Sequence, residues 1–424
     1  MAFSATALNA YVKRTYDPRY IDNSMTAVED KILTSCKKMT DGSGDNYSFL
    51  IDADDSFNGS ASFTIAQNAA ANNDNTVGIR LLSNWMDYSA VARISESIIG
   101  KTRNNDGAWQ RATDVAMKKT LKSISHANAV LMQSYGWGDI GQISSVSGST
   151  FKPTIPSDIS KYVKGMPLHF SQSLHSNGLR SSTVIYVTGV SYTVGSELVT
   201  CSATLGSVSA ANSDWCFIAG CRQDSATPVP IALVGFNAWF PNQLNATDMA
   251  DAYITGTSFY SATSARSTNT RTYGTFVDGT GGGSPLAALM DGVQEAVTMG
   301  NARKLRCFSS KENWKTIAKD LNSAVEYKDN PANKSVGTRR LTLFAEGDVE
   351  ATLEVSRSMN DNQFWGYDEA QVILKSIGGA PHISSDDGLT MCRVATDNSY
   401  ETRWFQQALI ELPNPAGGLR VQLV

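Results

Sequence analysis

The stretch NNDGAWQRATDVAMKKTLKSISHANAVLMQSYGWG, residues 104–138, decides how the rest of the chain is read. Asn105 or Asp106 can cap a helix and Gly136 can stop it. Between them Trp109, Ala112, Ala116, Met117, Leu121, Ile124, Ala127 and Leu131 recur at spacings of three and four. The pattern predicts one helix of about thirty residues, roughly 45 Å long and well beyond the ordinary helix. Arg111, Lys118, Lys119 and Lys122 crowd its first half. His126 reads as a packing histidine, because no acid or nucleophile motif accompanies it.

Immediately upstream, Gly100-Lys101-Thr102 resembles the end of a nucleotide-binding loop. Such a loop needs a glycine five positions before the Gly-Lys-Thr, so that backbone N–H groups can wrap the phosphates; here that position is Ser95. A nucleotide site is therefore not expected.

The 424 residues suffice for two or three domains with a sizeable core, and the net charge of −4 argues against a sequence-reading DNA protein. No stretch is long and apolar enough to span a bilayer, and residues 2–22 lack the apolar run of an export signal, so a soluble protein is expected. Six cysteines without a CxxC pair and only four histidines leave no zinc-type spacing. Cys216 and Cys221 read as buried thiols rather than a disulfide or metal pair. Neither a GxSxG elbow nor HExxH is present, so an enzyme is set aside, and no cofactor or metal is expected.

Outward from the long helix, residues 24–39 predict an amphipathic helix capped by Ser24, with Val28, Ile32, Leu33 and Cys36 on one stripe and Lys37 and Lys38 at its C-terminus. Residues 47–57, 60–67 and 76–95 read as strands, with NAAANNDN (68–75) as the tip of a long hairpin-like excursion. Beyond the helix, residues 144–158 read as a Ser/Gly/Pro-rich link. The runs 166–173, 181–194, 197–205, 214–221 and 231–240 then predict a small barrel or sandwich. Residues 242–283 read as polar and loop-like, ending in a glycine hinge. Ser284 and Pro285 open a helix that Gly300 stops. Strand 304–310, helix 311–322, paired strands 339–347 and 349–358, and closing strands 400–412 and 419–424 complete an α+β layer.

Four stretches, residues 60–95, 107–143, 289–321 and 398–424, together give an order of elements that resembles the major capsid (coat) proteins of tailed bacteriophages, of the Hong Kong 97-like fold. The resemblance covers nearly the whole chain and rests on architecture rather than an invariant motif. It implies an α+β fold: an N-terminal arm (1–46), an extended loop (47–103), a spine helix with a peripheral-domain segment (104–149), an inserted all-β, barrel-like domain (150–241), a loop excursion (242–283), an axial domain (284–384) and peripheral-domain closing strands (385–424).

The function implied is structural: hexamers and pentamers tiling an icosahedral shell around packaged double-stranded DNA, in the virion capsid, assembled in the host bacterial cytoplasm. Implied partners are further copies of the chain, separate scaffolding, portal and decoration proteins, and DNA bound without sequence specificity. Arg80, Trp85, Met86, Tyr88, Arg93 and Arg103 are candidates for inter-subunit contact, Lys118, Lys119 and Lys122 for the DNA-facing side, and Gly100, Gly107 and Gly136 for hinges. A β-rich phage adhesin, and a cellular encapsulating shell of the same fold, are the competing readings.

Overall fold

A computed structural model describes residues 30–52, 60–72, 78–96, 106–193, 195–225, 230–268, 270–281, 283–322, 341–345, 349–383 and 391–423. The long helix is present as α3 (Asp106–Leu131; α1 and α2 are given below). Its 26 residues make it about 39 Å long, shorter than expected. It ends because its last carbonyls are taken over. Gln133 N–H and Ser134 N–H turn back to Val130 and Leu131, and Phe236 N–H donates to Met132 O at 2.7 Å. Gly235 makes this approach possible, since a Cβ there would lie 2.4 Å from Leu131 O.

The short α1 (Lys31–Ser35) is capped by Asp30, whose side chain accepts from Ile32 N–H. Ser24 and Val28 lie outside the described residues. Lys37 and Lys38 do not close a helix as expected; they belong to strand β1 (Lys37–Met39), drawn out by parallel pairing with β16 (Ile373–Ser376). Strands β2 (Asn46–Asp52) and β3 (Gly78–Asn84) form an antiparallel pair, as the excursion reading requires. Residues 63–67, expected as strand, are instead the start of helix α2 (Phe63–Asn72), which also takes in much of the expected turn 68–75. The reason is local: the alanine-rich run carries high helix propensity.

Strand β4 (Met86–Ser95) pairs with the long β19 (Ser399–Glu411) over ten residues, and β16, β17 (His382–Ile383) and β18 (Cys392–Arg393) also pair with β19. Residues 86–95 are thus a paired sheet strand of their own chain as well as the root of the excursion.

The inserted domain is a closed barrel of β5 (Asp139–Ser147), β6 (Thr150–Pro153), β7 (Pro167–Ser171), β8 (Ile185–Ser191), β9 (Leu198–Cys201) and β10 (Trp215–Ile218), in the order β10-β5-β6-β9-β8-β7. It starts earlier than expected. Residues 144–158, read as a link, supply β6, part of β5 and a 3-10 turn, because the Gly148 turn (φ 55°) folds them into a hairpin. Residues 231–240, expected as strand, are a short helical turn α4 (Phe236–Trp239) inside the core.

Residues 242–283 differ most from their polar appearance. The turns α5 (Ala246–Ala250) and α6 (Ala252–Thr255) and the following 3-10 turns bury Tyr253, Ile254, Phe259, Tyr260 and Tyr273. They wrap the guanidinium of Arg266, which is 1% exposed. It donates to the carbonyls of Ala238, Ile254, Trp239 and Thr272 and lies 3.8 Å from the Phe259 ring centroid.

The last unit is the expected α+β layer, a mixed sheet ordered β11-β20-β15-β12-β14-β13 with its own apolar core. Its strands are β11 (Thr275–Asp278), β12 (Lys304–Ser309), β13 (Leu341–Ala345), β14 (Val349–Val355), β15 (Gln363–Asp368) and β20 (Leu419–Gln422). Helix α7 (Pro285–Gly300) packs on it and α8 (Lys311–Asn322) follows β12. Ser284 caps α7 as expected, but the left-handed residue that ends it is Asn301 (φ 49°), one place beyond Gly300.

Candidate assembly surfaces

The excursion carries the most conspicuous apolar surface. Alternation along β2 buries Phe49 and Ile51 and turns Leu50 outward, 61% exposed. On α2, Phe63 and Ile65 are 77% and 60% exposed. A solvated helix of this size does not normally expose such side chains together. Sequence reasoning missed Phe63 and Ile65 as surface groups, because 60–67 reads as a strand; the run FTIAQNAAAN was the available helix signal.

Of the residues singled out for inter-subunit contact, the structure gathers four at the root of the excursion, in contact with their own chain. Trp85 is buried, its indole N–H donating to Gly44 O at 2.8 Å with Tyr47 beside it. Met86 and Tyr88 are half-buried against the core, opposite Ala408 and Gln406 of β19. Arg93 pairs with Asp397 at 2.9 Å and donates to Ser399 Oγ at 2.7 Å. Arg80 stands apart, exposed on β3, where its backbone exchanges hydrogen bonds with Thr263. Arg103 and Gly100 lie outside the described residues. Gly107 falls in the first turn of α3, and Gly136 adopts φ 101° where the chain leaves the helix for the barrel.

Lys118, Lys119 and Lys122 lie along α3, with Lys118 exposed and the other two half-buried. Lys118 and Lys122 line a cavity of about 290 Å³ together with Leu33, Thr34 and Lys38 from the arm side and Arg357 and Ser358 from the turn after β14.

Charged groups brace the barrel, and one of them ties it to the α5–α6 segment. His175, in the barrel segment between β7 and β8, is clamped by Asp248 and Asp251. Arg180 makes a bidentate pair with Asp214, at 2.8 and 3.0 Å. Buried Lys161 meets Asp158 at 2.8 Å and donates to Ile140 O. Burial pushes the Asp139 carboxyl up to about 6, even though Tyr135 N–H donates to it. His126 bonds Lys161 O through Nε2 and His382 bonds Gly379 O through Nδ1, so both are held by backbone. Among the described residues no cluster of three or more His, Cys, Asp or Glu is arranged to hold a metal ion.

No protein-family model and no curated protein matches the sequence. Among solved structures, the chain is similar to the subunit of the Cyanophage A-1(L) capsid, with a TM-score of 0.53 at 8% identity and 99% of both chains covered. The capsid of the empty GTA particle gives a TM-score of 0.46 at 10% identity, covering 99% of this chain and 98% of that one. The virus-like particle from Pyrococcus furiosus gives 0.24 at 10% identity, and the match spans 35% of this chain and 54% of that one.

Proposed function

Because the chain carries the Hong Kong 97-like capsid fold from end to end, we propose that it is the major capsid protein of a tailed bacteriophage, a structural subunit rather than a catalyst. Copies tile an icosahedral shell as hexamers and pentamers around packaged double-stranded DNA. The protein resides in the virion capsid and assembles in the cytoplasm of the host bacterium. Separate scaffolding, portal and decoration proteins are its further partners.

The observation that carries this reading is the fold likeness over 99% of both chains. On this reading β2, α2 and β3 form the extended loop, α3 the spine, the β4–β19 sheet the peripheral domain, and α7, α8 and the mixed sheet the axial domain.

The physics of the excursion supports the same reading. A two-stranded pair has two open edges, which a soluble protein must cover. Leu50, Phe63 and Ile65 would each contribute about 1.5–3 kcal/mol on full burial against a neighbour. A protruding element laid on the next copy is a heterologous contact, which closes into rings when the rotation closes. Arg80 and Arg103 supply inter-subunit ion pairs on this excursion, each worth about 0–1 kcal/mol. Trp85, Met86, Tyr88 and Arg93 brace its root, Gly100, Gly107 and Gly136 let the loop and barrel adjust about the spine, and Lys118, Lys119 and Lys122 face the DNA.

Negative-stain electron microscopy with light scattering on the purified chain, with and without a crowding agent, tests the proposal. Closed shells or capsomer-sized rings are expected. A persistent monomer, or a slender trimer, under every condition would sink it.

A further inference from the structure

A cavity of about 320 Å³ lies where the exit of α3, the barrel, the α4–α5 segment and the end of the mixed sheet meet. Nine of its twenty lining residues are Asn or Gln, so carboxamides rather than charges dominate the wall. Three polar groups on that wall lack a partner among the described residues. Gln133, just beyond α3, is 3% exposed, and neither its amide oxygen nor its amide nitrogen is hydrogen-bonded. Asn237 Oδ1 on α4 and Arg420 Nε on β20 are buried in the same condition. Buried polar groups are ordinarily satisfied, and each one left unmet destabilises a fold. Such groups brought to one cavity from three chain segments mark a place where something beyond this chain completes the hydrogen bonds.

The rest of the wall narrows the class of ligand. Three carboxylates against two cations leave no positive excess for an anion. Each carboxylate is already engaged: Asp158 meets Lys161 at 2.8 Å, Asp248 meets His175 at 2.8 Å, and Asp139 accepts from Tyr135 N–H at 2.8 Å. An ionic ligand would therefore bring an unmatched charge into a buried site, which is costly. The carboxamides remain, each a donor and an acceptor. A hydroxyl is likewise both, so neighbouring hydroxyls on one ligand can meet the oxygen and the nitrogen of one amide together. Water does this singly, and about ten molecules fill such a volume at roughly 30 Å³ each. A polyol reproduces the hydrogen bonds of those waters while releasing several of them, so displacing them loses no affinity. Half-buried Trp215 adds a ring surface that suits the C–H face of a sugar. We infer that this cavity is a binding site for an uncharged sugar or related polyol. Such a site stands independently of the capsid reading.

Saturation-transfer NMR and calorimetry on the unassembled full-length chain test it with glucose, mannose and N-acetylglucosamine, the last both free and as its linear trimer. The proteins compared are the unmodified chain, Gln133→Leu, Asn362→Ala on the mixed-sheet side of the cavity, and Gln223→Leu, which removes an exposed amide elsewhere. Gln133→Leu replaces an amide that has no partner, so its melting temperature should not fall. The unmodified chain is expected to bind at least one sugar saturably. Affinity should drop about tenfold in Gln133→Leu, which loses two hydrogen bonds to the ligand, and by a smaller factor in Asn362→Ala. Gln223→Leu should match the unmodified chain.

A drop in either cavity variant, with Gln223→Leu unaffected, supports the site. Should Gln133→Leu fail to fold, Asn362→Ala carries the comparison alone. Tighter binding of the trimer assigns the site to the end of a polysaccharide, and equal or weaker binding assigns it to a free sugar. No saturable binding of any sugar, with water alone in the cavity, overturns the inference. Binding that both cavity variants leave unchanged, or that Gln223→Leu weakens equally, overturns it too, because the sugar then sits elsewhere.

Discussion

His175 Nε2 lies 2.8 Å from Asp248 Oδ1, and its Nδ1 is 2.9 Å from Asp251, so one imidazole from the barrel is held between two carboxylates of the α5–α6 segment. Tyr135, where α3 gives way to the barrel, donates its hydroxyl to the other oxygen of Asp248 at 2.5 Å. The Tyr135 and Trp137 rings meet the imidazole edge-on. Three chain segments far apart in sequence are locked at this point, which gives the barrel a fixed seat on the helix exit.

Stability should therefore depend on alkaline pH. Burial disfavours the charged imidazole, but the hydrogen bonds and charges of Asp248 and Asp251 outweigh it and push the pKa up from 6.5 to about 9. The protonated form stabilises the fold in full below about pH 6.5, and that contribution is lost as pH rises through 9, on the order of 3 kcal/mol in all. Urea midpoints at pH 6.5 and 9.5 should differ for the unmodified chain and converge for His175→Gln. Equal pH dependence in both proteins would show that the clamp contributes nothing.

Arg266 should be the most sensitive single residue of the 242–283 segment. Its guanidinium satisfies four backbone carbonyls at 1% exposure. Arg266→Met takes away the guanidinium that donates to these carbonyls, leaving Trp239 O with only its bond from Gly274 N–H, and should cost about 3–5 kcal/mol, read as a lower denaturant midpoint. Arg266→Lys should recover only part, because an ammonium cannot reproduce the planar fork.

Replacing Phe63 and Ile65 together by serine should leave the monomer's melting temperature nearly unchanged, since both side chains are exposed and surface changes are usually within about 0.5 kcal/mol. Shell yield by light scattering should fall sharply. Normal yield would remove α2 from the assembly contact.

A thiol reagent should label one cysteine of the native chain and all six after denaturation. Cys36, Cys201, Cys216, Cys221 and Cys307 are buried, while Cys392 is half-buried. Burial raises the Cys36, Cys221 and Cys307 thiols to about 12 and Cys201 to about 11, far from the reactive thiolate. Mass spectrometry of the labelled peptides identifies the site; rapid labelling of Cys216 or Cys221 would contradict the packing.

Where each element's own residues specify it, the sequence was enough. The three-and-four spacing of α3, the Ser284-Pro285 start of α7 and the strand-forming runs of β12, β14 and β19 are local signals, and the order of those elements already resembled a capsid subunit. The reading failed where distant partners decide. Met86–Ser95 looks like part of an excursion until β19, more than three hundred residues later, pairs with it. Residues 242–283 look polar until Arg266 gathers their carbonyls, and Lys118 and Lys122 look like a solvated helix face until Lys38 and Arg357 arrive beside them. Periodicity and capping act over one or two turns, so a single segment reveals them. Strand partners, a buried guanidinium and converging charges exist only once loop closure has brought remote segments together, and only the tertiary structure decided them.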